Sequence, residues 1–158
     1  MKGKLLIAFI AILLISCEDS TSKKSTVTDK TVTTTTTENS NPSYDPDRGE
    51  GKFTKVDIPS TIDASKASAG TKVYSVKCSS CHKLTNEKLV GPGWQGVTSR
   101  HSAEWIMNFA TNPDPMITKD PKAQAMLEIC LVRMPNQNIT DDDARNIYEY
   151  MRKNDATK

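Results

Sequence analysis

The sequence predicts an all-α domain over residues 61–158, carried behind a long polar lead. Three observations predict it. Apolar residues recur at helical spacing from about Thr61 onward, each such run opens on a capping residue, and no stretch of strand-like alternation competes. At 158 residues, 36% hydrophobic and 25% charged, the chain supports one domain with appendages but not two large ones. Its 21 Lys and Arg stand against 19 Asp and Glu, a net charge of +2 that excludes a strongly basic nucleic-acid binder and an acidic-tail protein. A single apolar run, at the N-terminus, excludes a multi-span membrane protein.

That run defines the first region, residues 1–16. Lys2 and Lys4 precede the apolar stretch Leu5 to Ile15, too short to cross a hydrocarbon layer of roughly 30 Å as a helix. A charged start, a short apolar core and a small-residue end describe an export signal. Its last residues, Leu14-Ile15-Ser16-Cys17, resemble a bacterial lipobox. The resemblance implies cleavage before Cys17 and lipid on its sulfur, with a second or third acyl chain making the anchor effectively permanent. An uncleaved anchor or a plain signal peptide is the alternative.

Residues 17–60 then form the second region. It is rich in Thr and Ser, includes the run Thr33 to Thr37, and has no hydrophobic period. Such a composition buries too little apolar surface to offset the entropy of ordering, so a disordered stalk is expected. With eight acidic and six basic residues from Glu18 to Ser60, it is no polybasic membrane patch.

In the third region, 61–158, Ser65 is expected to cap a first helix with Ala69, Val73 and Tyr74 on one face. Ser102 caps a second, with Trp105, Ile106 and Phe109 inward, stopped at Asn112-Pro113. Asp120-Pro121 starts a third, leading to Ala123, Met126, Leu127 and Cys130. Thr140 and Asp143 have capping-box spacing before a final face of Ala144, Ile147, Tyr150 and Met151. With six aromatic residues in this region the core is thin, so something else is expected to fill it.

Cys78-Ser79-Ser80-Cys81-His82 supplies a candidate. The spacing puts two thiols along one edge of a helical turn, with an imidazole beside the second. Each thiol can add across a haem vinyl group, and His82 then lies where its ring nitrogen reaches the iron; the pentapeptide is the attachment signal for c-type haem. A thioredoxin-like Cys-x-x-Cys would need a βαβ context. A zinc site using Cys78, Cys81, Cys130 and a His would lack a second close ligand pair. Gly91-Pro92-Gly93-Trp94-Gln95-Gly96 spells a dinucleotide fingerprint, but no strand precedes it and no apolar helix follows.

From about Ser68 to Lys153 the chain resembles a class I monohaem cytochrome c. The resemblance rests on Gly70, Tyr74, Cys78, Cys81 and His82, on Gly91-Pro92, on Met134-Pro135, and on Ala144 to Lys153 with Tyr150 as its aromatic. It implies a cytochrome c fold of four to five short helices around one covalently bound haem, with first and last helices crossing at Gly70. It also implies that the carbonyl of Pro92 holds the second ring nitrogen of His82, that Trp94 walls the haem, and that Met134 is the distal axial ligand. Met116, Met107, Met126 and His101 are rivals for that last role. Cys130 is left over, and an inert buried thiol is its expected state.

The expected function is electron transfer rather than catalysis: a membrane-tethered carrier whose haem c cycles between Fe(III) and Fe(II) with both axial positions filled. The resemblance implies redox protein partners, a quinol-oxidising complex as donor and an oxidase, nitrogen-oxide reductase or peroxidase as acceptor. The lipobox implies a bacterial cell envelope, with the domain on the periplasmic or extracytoplasmic side. A haem enzyme or gas sensor with an open sixth position is the alternative, and a structural zinc module a further one. Lys66, Lys72, Lys77, Lys83 and Lys88 cluster around the motif and are expected to steer acidic partners.

Overall fold

Six α-helices run through residues 44–157, the part of the chain that the computed structural model describes. They are α1 (Ala64–Val73), α2 (Val97–Arg100), α3 (Ala103–Thr111), α4 (Pro113–Lys119), α5 (Pro121–Cys130) and α6 (Asp141–Ala156). The four or five helices expected become six because Pro113, read as a stop for α3, also serves as the first residue of α4, and because a single turn forms at α2.

Most caps fall where the sequence puts them. The side chains of Ser102, Asp120 and Thr140 accept from the backbone N–H of Trp105, Ala123 and Asp143. The first helix is the exception. Asp63, not Ser65, is its cap, accepting from Lys66 N–H at 2.9 Å. Two adequate capping residues two positions apart are not separable by composition.

The buried residues of α1 are Ala67 and Gly70, both small, while Ala69, Val73 and Tyr74 are half-buried. Small side chains let α1 lie close against α6. A Cβ at Gly70 would collide with the Asn146 carbonyl and stand 2.8 Å from the Tyr150 Cβ. Backbone cannot step aside as a flexible side chain can, so Gly70→Ala is expected to destabilise the fold by about 1–3 kcal/mol in urea unfolding. On α6, Ala144, Ile147, Tyr148 and Met151 are buried and meet Trp105, Ile106 and Met107 of α3 in the core. At its far end Asp155 reaches back to α2, accepting from Gly96 N–H (2.6 Å), Thr98 N–H (3.0 Å) and the Thr98 hydroxyl (2.7 Å). The last helix thus caps the second.

The segment 44–60 departs from the expected stalk. It is a strap packed on the helical domain. Phe53 N–H donates to the Asn108 side chain at 2.8 Å, and the Asn108 amide donates to the carbonyls of Arg48 and Phe53. Glu50 N–H meets the sulfur of Met116 at 3.0 Å, and Val56 N–H donates to Glu104 at 2.7 Å. Tyr44 donates to Asp120. Phe53, Val56 and Ile58 add partly buried apolar contact. Backbone groups do most of this binding, so a composition poor in apolar residues did not forecast it. The lipobox at Cys17 and the Thr run lie outside the described residues.

Candidate haem site

After α1 the chain makes one π-helical turn, Tyr74–Cys78, closed by Ser79 N–H donating to the Tyr74 carbonyl at 2.9 Å. The wider turn inserts a residue into the helical register, a device common at functional sites. It ends with Cys78 buried, and a tight turn in which Cys81 and His82 N–H both donate to the Cys78 carbonyl brings those two residues to the same place. The loop that follows folds back on this turn. Gly91 N–H donates to Cys81 O (2.9 Å) and Trp94 N–H to Lys83 O (2.8 Å).

This folding-back sets the imidazole. Its Nδ1 is 2.8 Å from the Pro92 carbonyl oxygen, which can only accept, so Nδ1 carries the proton and Nε2 is left bare. Burial holds His82 below its ordinary pKa, against the opposing pull of the Pro92 carbonyl. The Tyr74 hydroxyl donates to the His82 carbonyl at 2.7 Å and fixes the backbone. Gly91 stands aside: a Cβ there would lie 2.8 Å from His82 Nδ1 and 2.9 Å from Nε2. Trp94, 6% exposed, lies 5.6 Å from the His82 ring and 5.0 Å from Tyr74.

His82, Pro92 and Trp94 border a cavity of about 350 Å³, joined through shared walls to another of about 270 Å³. Cys81, His82, Pro92 and Met134 line both, while Cys78 and Trp94 line the larger. The helices add Ile106 and Phe109 from α3, Met126 from α5, and Ile147 and Met151 from α6. Of the rival ligands, Met107 and Met116 do not line either lobe; Met126 and His101 do. Cys130, expected to be a buried thiol, is half-buried and borders the smaller lobe. Among the described residues no three His, Cys, Asp or Glu side chains converge as the zinc reading would need.

Two thiols, an imidazole with a free nitrogen, a thioether and walls that are mostly apolar fit a haem c. Cys78 and Cys81 would carry the thioether links, with His82 and Met134 as the iron's donors. Burial pushes the Cys78 thiol up to about 11, with the Cys81 thiol adding to the shift, so it stays protonated at neutral pH. Periodicity gave the inward faces of α3 and α6 but not what they face. Phe109 and Met151 were therefore legible as core and not as cavity wall.

No curated protein sequence matches the chain. Among solved structures, it is similar to a cytochrome c from Rhodothermus marinus, with 30% identity and a TM-score of 0.66 over 68% of this chain and 92% of that one. An engineered form of that cytochrome, Rma TDE, gives 29% identity and 0.64 over 67% of this chain and 91% of that one. The same engineered protein bound to a carbene intermediate gives 30% identity and 0.62 over the same shares. The cytochrome c family model matches residues 67–155, a span that takes in Gly70, the Cys78–His82 pentapeptide, Pro92, Met134 and most of α6. The chain belongs to the cytochrome c family, whose cofactor is a covalently bound haem c and whose work is electron transfer.

Proposed function

We propose that this protein is a lipid-anchored class I monohaem carrier that passes single electrons between respiratory partners, with Cys78 and Cys81 as attachment points and His82 and Met134 as axial ligands. The observation that carries the reading is the His82 ring, locked by Pro92 with Nε2 unprotonated, in one cavity with both thiols and a thioether. The haem supplies a one-electron Fe(III)/Fe(II) couple. The residues do the rest. His82 needs no reorientation, because its tautomer is already set. Met134 offers a soft neutral donor from an irregular segment, beyond the left-handed Leu131 and before Pro135. Trp94, Ile106 and Ile147 exclude water, which keeps the surroundings of low dielectric.

Lipid on Cys17 would keep the domain at a bacterial membrane on its extracytoplasmic side, near a quinol-oxidising donor and an oxidase, nitrogen-oxide reductase or peroxidase as acceptor. Labelled fatty acid incorporated by the native chain and lost in Cys17→Ser tests the anchor. The visible spectrum tests the haem centre. One haem per chain by pyridine haemochrome, a mass increment that survives denaturation, and a weak far-red sulfur-to-iron band are expected. Rapid carbon monoxide binding at neutral pH would instead indicate an open sixth position, as an enzyme or gas sensor needs.

The lysine cluster is only partly free to steer partners. Lys66 pairs with Asp63 and Lys83 with Glu87, and Lys88 donates to the Ile129 carbonyl. Lys72 and Lys77 are exposed, and Lys77 borders the cavity. Stopped-flow reduction by an acidic partner is expected to slow about tenfold or more from low to high ionic strength. A flat rate removes the steering role.

A further inference from the structure

Asp120 is fully buried, and both of its carboxylate oxygens are engaged. Oδ1 accepts from Ala123 N–H at 2.8 Å, which is all that capping α5 requires. Oδ2 does something else: it accepts from the Trp105 indole N–H at 2.9 Å and from the Tyr44 hydroxyl. One atom therefore joins the strap to α3. The strap also backs the indole, since a Cβ at Gly49 would stand 3.0 Å from Trp105 Cδ1. Trp105 is 3% exposed and has no room to turn.

The face of Trp105 carries His101. The two rings are stacked, with centroids 4.0 Å apart and planes 17° from parallel. His101 borders the larger cavity beside Arg100. Its Nδ1 is sealed from solvent and has no hydrogen-bond partner. A buried N–H without an acceptor is rarer and costlier than a bare lone pair, so the ring proton belongs on Nε2. The charged groups around the ring are Arg100 and Lys122, which oppose its protonation, and Asp120, which favours it. Burial, aided by the two cations, outweighs Asp120 and pushes His101 down to about 4, so the ring is neutral at physiological pH. The cavity wall is mostly apolar and its charged members, Arg100 and Lys77, are donors, so a neutral Nε2–H there needs an acceptor. Haem c brings two carboxylates, and Arg100 marks the same end of the cavity as suited to an anion.

We propose that Tyr44 is a positioning residue for the haem site: through Asp120 and Trp105 it fixes the His101 ring so that its Nε2–H donates to a haem carboxylate. The strap is then part of the cofactor site and not only a cover for the core. This rests on the haem-binding reading of the same cavity.

The test uses the full chain with haem incorporated, in the ferrous diamagnetic state. Nitrogen-15 NMR should show His101 as the Nε2–H tautomer, unchanged between pH 8 and pH 5, with a slowly exchanging N–H. Tyr44→Phe removes one hydroxyl and should speed that exchange at least tenfold while haem content stays at one per chain. His101→Phe keeps a ring to stack on Trp105 but removes the donor. Its carboxylate then carries less compensated charge, so the midpoint potential should fall and acquire a pH dependence absent from the native protein. A His101 that titrates near its ordinary value, an Nδ1–H tautomer, or exchange unaffected by Tyr44→Phe overturns the proposal while haem content upholds the function. Loss of stoichiometric haem in the native chain overturns the function itself, and this inference with it.

Discussion

Met134→Leu is expected to lower the midpoint potential by roughly tenths of a volt while leaving haem attached and the fold intact. A thioether stabilises Fe(II) over Fe(III), so removing it removes the preference for the reduced state. Leu has nearly the volume of Met, which keeps the packing cost small. The covalent links and the His82 side of the site involve other residues, so haem content should not change. The far-red sulfur-to-iron band should vanish and carbon monoxide should bind the ferrous protein. Met126→Leu is the decisive control, because Met126 borders the same cavity but sits within regular α5. If Met126→Leu gives the larger drop and Met134→Leu none, the ligand assignment moves to α5.

The largest stability effect is expected at Glu149. This carboxylate is 0% exposed and takes Arg145 at 2.6 Å and Arg152 at 3.0 Å, and it also accepts from Asp63 N–H at 3.3 Å. It therefore ties α6 to the residue that caps α1. Glu149→Ala would strand two guanidinium groups whose side chains are only 15% and 14% exposed. Removing one partner of a buried pair costs about 3–5 kcal/mol. The lower end applies here, since Arg152 keeps the Ser60 carbonyl at 2.9 Å and both arginines retain some water. A loss near 3 kcal/mol corresponds to a fall in Tm on the order of 15 °C for a domain of this size. Thermal unfolding of haem-loaded protein measures it, and Glu149→Gln should fall between the two.

The legible parts of this protein are those whose chemistry is local in sequence. Thioether attachment needs two thiols three positions apart and a neighbouring imidazole, so Cys78, Cys81 and His82 announce themselves. Caps at Ser102, Asp120 and Thr140 act within one helical turn and are read the same way. Pro113 shows where local reading stops, because the same ring that ends α3 is a favourable first residue for α4. The strap was hidden for another reason. Gly49 and Gly51 have positive φ and let backbone approach Met116, Trp105 and Asn108, and glycines amid polar residues read as linker. The link from Tyr44 to His101 was out of reach altogether. Its first step spans 76 positions, from Tyr44 to the second oxygen of Asp120, a carboxylate whose first oxygen already explained it.

The strap also decides where the chain can be shortened. A soluble fragment cut at Thr61, the natural choice from composition, would expose Met116, Trp105 and Asn108 and leave the second oxygen of Asp120 short of a donor. Such a fragment would be prone to self-association through the uncovered flank of α3 and α4. For expression and crystallisation the first residue belongs ahead of Tyr44.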